Sequence, residues 1–335
     1  MAEGRGQKAA EFISTPMRQF GQGVLFVLPM RWFLASCVLL PAFCFLSLVS
    51  CASATAVGAD GPPLPAVGEH RRRAVVLVIL DGLRADQVTD ERMPYLARRR
   101  QDGVWAARAE TVVPSRTTPA LRAIWSGQPP ERQPSDLSAV TTIFDAMHAA
   151  GLRLGFFAAK GEIRGYTPVH IFDICILPGP WALRRWSAEE VLPRAAAYLL
   201  TRQPDFTVVH LADIDVAGHT IGWLSPEQQV AQRRVDELLS QFVDQVVTQV
   251  PDRSWVFVVT ADHGGHENDH PGDVEEDRLV PWIAWGSGVP QGIVVQRTVS
   301  IIDTASTLLR LLDVPVPDTI GGAAVDEVTG MRVTR

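Results

Sequence analysis

Four stretches of this chain are apolar almost without interruption: Ala74–Leu80 (AVVLVIL), Leu154–Ala158 (LGFFA), Phe206–Leu211 (FTVVHL) and Trp255–Thr260 (WVFVVT). They run continuously rather than alternating, the pattern of strands covered on both faces. Helix-like segments lie between and beyond them, at residues 93–101, 117–126, 140–150, 188–201, 226–250 and 304–312. Strands alternating with helices predict an α/β fold: a mostly parallel central sheet with helices on both faces. With 335 residues, 47% hydrophobic and 20% charged, the chain can bury a large core, and we expect residues 71–335 to form a single domain.

In such sheets, functional side chains gather where the strands end at their carboxyl edge. Asp81 follows the first run directly, Asp213 and Asp215 follow the third, and Asp262 and His263 follow the fourth. One aspartate at a strand end is commonly a helix cap or an Asx turn. Three such ends with histidines attached call for a shared explanation, because unpaired buried carboxylates are costly.

Four of the eight histidines fall in two short stretches, His219 in GHT and His263, His266 and His270 in DHGGHENDH. Carboxylate and imidazole are ligands that Zn²⁺ accepts at about 2.0–2.2 Å. Asp-x-x-x-His together with Asp-His-x₆-His offers enough ligands for two ions, an arrangement suited to phosphoryl transfer. A cysteine zinc site is excluded by spacing: Cys37, Cys44 and Cys51 lie in or beside one apolar run, and Cys175 sits in an apolar context that predicts a buried, inert thiol. The formal charge is −6, and the first 50 residues carry Arg5, Lys8, Arg18 and Arg31 against only Glu3 and Glu11. The remainder is therefore more acidic still, which argues against binding a nucleic acid duplex.

The segments LDGLRAD, TVVPSRTTPALRAIWSG, DIDVAGH, TADHGGHENDHPGD and PWIAWGSG occur in that order across about residues 74–320. Together they resemble the alkaline phosphatase superfamily, and within it the type I phosphodiesterase/nucleotide pyrophosphatase branch. The resemblance implies two divalent metal ions, zinc by family habit. Asp215, His219 and His270 would hold one, and Asp81, Asp262 and His263 the other. It also implies a nucleophile ten residues before a glycine and two before a proline, which selects Thr117 from Gly127 and Pro119, bridging both ions. Arg116, Arg122 and His266 are the candidates for contacting substrate. Asp213 and Asp269 are left as solvated or supporting carboxylates. Trp125, Tyr166, Trp181 and Trp186 are candidate walls of a leaving-group pocket, with residues 160–185 as a loop region facing it.

The activity implied is hydrolysis of phosphate esters, most readily phosphodiesters, through a phospho-threonine intermediate. The substrate would be a small-molecule or a lipid- or glycan-linked ester. A phosphomonoesterase is the alternative, since Ala120 stands where nucleotide-cleaving relatives carry an asparagine; a non-catalytic envelope binding protein that keeps the fold is another. Sulfatases need Cys or Ser as nucleophile and Arg four residues on, where this chain has Thr117 and Leu121. The phosphoglycerate mutase branch needs a large inserted domain, for which residues 127–205 leave no room.

Residues 32–49 are uncharged and apolar and follow Met30-Arg31, which suits an export signal. Leu48-Val49-Ser50-Cys51 resembles a lipoprotein box, predicting a mature chain anchored to the membrane through lipidated Cys51. A cut after Ala56 would instead release a soluble protein, and an uncleaved helix is a third outcome. Residues 1–29 are long for a leader, so translation from Met30 is expected. Residues 52–70, rich in small residues, Pro and Gly, predict a flexible tether.

Overall fold

The computed structural model describes residues 73–134, 140–179 and 184–330. The leader, Cys51, the tether and Trp181 lie outside the described residues.

In chain order the elements are β1 (Ala74–Leu80), α1 (Pro94–Asp102), β2 (Gly103–Ala106), β3 (Ala109–Glu110), α2 (Thr117–Ser126), α3 (Ile143–Ala149), β4 (Leu154–Ala158), β5 (Ile174–Ile176), α4 (Ala188–Arg202) and β6 (Phe206–Leu211). There follow α5 (Asp213–Ile221), α6 (Pro226–Gln249), β7 (Trp255–Thr260), α7 (Glu275–Arg278), β8 (Trp282–Gly286), β9 (Ile293–Val295), β10 (Val299–Ser300) and α8 (Asp303–Leu311). Eight strands form one sheet in the order β5-β4-β6-β1-β7-β8-β2-β9, and β10 pairs with β3 in a separate two-stranded ladder. From β5 to β7 all pairs are parallel; β8 alone runs antiparallel to both of its neighbours. The mostly parallel sheet expected from the sequence is thus present.

Adjacent phenylalanines show why both faces are apolar, since successive strand side chains point to opposite sides. Phe156 packs against Trp125 of α2 and Phe144 of α3, whereas Phe157 meets Tyr198 of α4. Helices α2, α3 and α8 pack together on one side, and α1, α4, α5 and α6 on the other. Helix starts follow local chemistry: α6 opens with Ser225 accepting from the Gln228 N–H and with Pro226 at its first position, where no intrahelical donor is lost.

The three central strands end level. Leu80 of β1 lies opposite Leu211 of β6, and Ile79 lies opposite both His210 of β6 and Thr260 of β7. The residues that follow these strands therefore emerge side by side at one edge.

Candidate active site

At that edge the structure brings together Asp81, Asp215, His219, Asp262, His263, His270 and Thr117. Asp81, Asp262 and His263 are wholly buried, and Asp215 and His270 nearly so. The Thr117 hydroxyl, in the first turn of α2, lies 3.3 Å from His263 Nε2. His263 Nε2 is in turn 3.2 Å from Asp81 Oδ1 and 3.5 Å from Asp262 Oδ2. On the other side, Asp215 Oδ1 is 3.3 Å from His219 Nε2 and 3.8 Å from His270 Nε2.

Two residues that the sequence reading passed over stand inside this cluster. Lys160, two residues after β4, is 6% exposed, and its Nζ is 2.5 Å from Asp81 Oδ2, 2.8 Å from Asp215 Oδ2 and 3.2 Å from the Thr117 hydroxyl. His210, the polar residue near the end of β6, is fully buried with Nε2 3.1 Å from Asp81 Oδ2. The rule that flagged the aspartates, a polar side chain at the carboxyl end of an apolar strand, applies equally to both.

The imidazoles share an orientation. Nδ1 of His219 faces the Asn268 carbonyl at 2.9 Å, that of His263 the Gly264 carbonyl at 2.9 Å, and that of His270 the Ser115 carbonyl at 2.6 Å. A carbonyl only accepts, so each Nδ1 carries the hydrogen and each Nε2 is left to face the cluster. His219 Nε2 and His270 Nε2 converge to 3.0 Å, an arrangement that a shared cation relieves. Asp81 Oδ2 has the Lys160 ammonium, but Asp81 Oδ1, Asp215 Oδ1 and Asp262 Oδ2 are buried and face only imidazole Nε2 atoms that carry no hydrogen. Unsatisfied buried acceptors of this kind are what metal ligands look like without the metal. Compact ligand groups are formed by Asp215, His219 and His270, by Asp81, His210 and Asp262, and by Asp81, Asp215 and His263. The donor set, carboxylate and imidazole without thiolate, fits divalent ions.

Electrostatics follow from the geometry. Burial alone would lower the Lys160 pKa, but the Asp81 and Asp215 carboxylates hold the ammonium well above its ordinary value. Burial works against ionised Asp81, yet Lys160, His210 and His263 bring its carboxyl below the usual range. Asp262 is pushed up by burial and by the charge on Asp81. His263 resists its own burial because Asp262 and Asp81 surround it, and rises to about 9. His270 falls to about 4 through burial and through His263, whose ring stacks on it at 3.6 Å.

Other expected residues are placed differently. Arg116 is exposed just before α2, and the Arg122 guanidinium donates to the Pro134 carbonyl; the structure brings neither side chain into the cluster. Five residues along a helix turn a side chain about 140° away from Thr117, which is why nearness in sequence misled for Arg122. His266 keeps its Nδ1 2.7 Å from the buried Asp277 carboxylate, and burial is slight enough that this partner raises its pKa. Asp213 accepts the Ala188 N–H at the start of α4, and Asp269 accepts the His270 N–H, so both are local braces. Trp125 is a core residue, wholly buried with its ring 4.9 Å from that of Phe144, and is no pocket wall. Trp186 is stacked by Arg194. Tyr166 ends a 3₁₀ turn, Gly161–Tyr166, close to Thr118. Cys175 is half-buried rather than buried, with its thiol pushed up to about 11 by desolvation. Among its described residues, the region 160–185 holds two 3₁₀ turns and the strand β5.

Residues 73–314 match the family model described as Sulfatase. A 2,3-bisphosphoglycerate-independent phosphoglycerate mutase of Staphylococcus aureus is 29% identical over 144 residues, 42% of this chain and 26% of the mutase. The chain thus spans about a quarter of that relative's length. A solved structure described as a protein in the alkaline phosphatase superfamily from Vibrio parahaemolyticus is 19% identical with a TM-score of 0.59, covering 76% of this chain and 69% of that one. Human ectonucleotide pyrophosphatase/phosphodiesterase 5 is 13% identical with a TM-score of 0.61, covering 77% and 99% respectively. At these identities the structural likeness is one of fold.

Proposed function

The chain belongs to the Sulfatase family, within the alkaline phosphatase superfamily, and from that premise we propose that it is a metal-dependent hydrolase of phosphate esters, phosphodiesters before monoesters, acting through a phospho-threonine intermediate. The observation that carries this reading is the Thr117 hydroxyl, within 3.3 Å of both His263 Nε2 and Lys160 Nζ where the ligand groups meet. Phosphate is favoured over sulfate by the same residue. Oxidation of a threonine side chain gives a ketone, not the aldehyde that sulfatases use, because its Cβ carries a methyl group.

Asp215, His219 and His270 would hold one divalent ion and Asp81, Asp262 and His263 the other, with His210 beside the second group. When bound, such ions supply positive charge to the phosphoryl oxygens and lower the pKa of a nearby hydroxyl. The chain's own residues do the rest. Lys160 Nζ donates to the Thr117 oxygen and so favours the negative charge that grows there as its proton leaves. Thr117 opens α2, whose first N–H groups lack intrahelical acceptors and so favour an anion held at that helix end. The Nδ1 hydrogen bonds fix the imidazoles so that no reorientation is needed during the reaction.

Lys160 also favours a second reading, a centre that operates with one ion. Its ammonium bonds to Asp81 and to Asp215, one carboxylate from each ligand group. Three carboxylates against that ammonium leave a charge that one divalent ion balances. The motifs that resemble the nucleotide pyrophosphatase/phosphodiesterase branch, and the Leu-Val-Ser-Cys51 box, support placing the activity at the cell envelope on a lipid anchor. The deciding experiment is turnover of a bis- and a mono-p-nitrophenyl phosphate alongside p-nitrophenyl sulfate, with metal content measured on the same sample. Faster cleavage of the diester at two ions per chain is expected. Sulfate as the best substrate would overturn the proposal, and one ion per chain would select the second reading.

A further inference from the structure

Each of the three segments that deliver ligands carries a glycine beside its ligand: Gly82 next to Asp81, Gly218 next to His219, and Gly265 between His263 and His270. All three glycines abut one residue, Trp223. Its indole N–H donates to the Gly82 carbonyl at 2.9 Å. A Cβ built on Gly218 would stand 2.7 Å from the indole, and one on Gly265 only 2.1 Å from it. Neither glycine has a positive φ, so what each supplies there is room for the ring.

The indole is 7% exposed, and the two imidazoles of the outer ligand group lean on it. The His219 ring meets it edge-on at 5.2 Å and 87°, and the His270 ring at 5.8 Å and 63°. The backbone around it is held under strain. The Trp223 N–H donates to the Glu267 carbonyl at 2.6 Å, while Leu224 and Glu267 both adopt left-handed conformations, at φ 67 and 48. Non-glycine residues enter that region at a cost, which surrounding contacts must offset. Leu224 is held by Gln228 and Gln229 on one side, and the indole packs on the other.

We propose that Trp223 is a positioning residue that clamps the three ligand-bearing segments together and sets the affinity of the Asp215–His219–His270 group for its ion. The inference rests on the metal-dependent reading above but is separable from it. The indole's ring contacts are to His219 and His270 of the outer group, so the group of Asp81, Asp262 and His263 should depend on it less. Gly82, beside Asp81, and Gly265, two residues after His263, link the indole to that side through backbone alone. The clamp therefore predicts an unequal response of the two groups, where a merely structural tryptophan would affect both through general destabilisation.

The test is a Zn²⁺ titration of chelator-stripped protein against a competing indicator, with the unfolding midpoint of the stripped protein measured in parallel. His219→Gln identifies the outer ion. Trp223→Leu should weaken that ion roughly 10–100-fold, the range for groups that orient metal ligands, while leaving the other ion bound. Trp223→Phe, which keeps a ring but loses the N–H, should fall between, and it covers the case in which the leucine variant does not fold. Gly265→Ala should reproduce the loss in the wild-type background and add nothing in the Trp223→Leu background, because the ring it would strike is gone. Equal weakening of both ions, or a full additional loss from Gly265→Ala without the ring, would overturn the clamp. Wild-type protein that binds no Zn²⁺ would overturn the metal reading itself, a result distinct from binding that is indifferent to Trp223.

Discussion

Replacing Lys160 by methionine separates the electrostatic account of the centre from a packing account. Methionine keeps an apolar stem of similar length and deletes the ammonium. That ammonium lies 2.5 Å from Asp81 and 2.8 Å from Asp215, carboxylates that are 0% and 3% exposed. Removing one partner from a buried ion pair costs about 3–5 kcal/mol, since the other charge stays buried and unpaired. A unit charge pair at ~4 Å in an effective dielectric of ~20 gives about 4 kcal/mol, the same order. For a domain of this size each kcal/mol moves the melting midpoint by about 2–4 °C, so Lys160→Met should lower it by roughly 6–20 °C in stripped protein. Bound divalent ions give the same carboxylates another counter-charge, and the loss should then shrink severalfold. The lysine's folded pKa is raised above its unfolded 10.5, so its stabilisation is fully present below that value and is lost as pH rises through the folded one. Measurement at pH 7.5 therefore captures all of it. Denaturant unfolding of both proteins, stripped and zinc-saturated, gives the four values needed. Equal destabilisation with and without zinc would mean that Lys160 acts through packing, and no loss in the stripped state would refute the charge argument outright.

Thr117→Ala should lower kcat by about 10³-fold or more while Zn²⁺ stoichiometry stays unchanged, and Thr117→Ser should keep most of the activity; turnover by the alanine variant near the wild-type rate would move the nucleophile elsewhere. His210→Leu removes the imidazole whose Nε2 lies 3.1 Å from Asp81 Oδ2, so Zn²⁺ affinity should drop roughly 10–100-fold; unchanged affinity by metal titration would remove His210 from the centre. Asp236 of α6 accepts the Tyr95 and Leu96 N–H groups at the start of α1, but burial lifts its pKa to about 6. Its folded state therefore prefers the proton, and this group's contribution to stability declines as pH rises from about 4 to about 6. Subtracting the pH–stability curve of Asp236→Asn from that of wild type should leave this slope, and parallel curves would contradict it.

Much of this architecture is legible from residue pattern because burial on both faces leaves an unambiguous trace. β1, β4, β6 and β7 occupy the four continuous apolar runs, and α2 spans the segment expected of it. β2 and β9 are too short to register, and the direction of β8 depends on its neighbour β7, which WIAWG does not encode. The meeting of Asp81, Asp215 and Asp262 at one edge is readable because each follows a strand. Lys160 is not legible as part of the centre because a protonated lysine offers a metal no lone pair, although a buried cation and a metal ion answer the same need. Trp223 was unreadable in principle, since its partners are the absent side chains of Gly218 and Gly265.

The strand order has a consequence for when the centre can exist. β1 is synthesised before its two sheet neighbours, β6 and β7, which lie more than a hundred residues further along. Until both are available, β1 has open edges and Asp81 has neither Lys160 nor Asp262 beside it. Pairing across such separations is slow compared with local helix formation. The ions would therefore be captured late, from whatever pool surrounds the chain as it completes its fold, and that pool, as much as ligand chemistry, would decide which metal the mature protein carries.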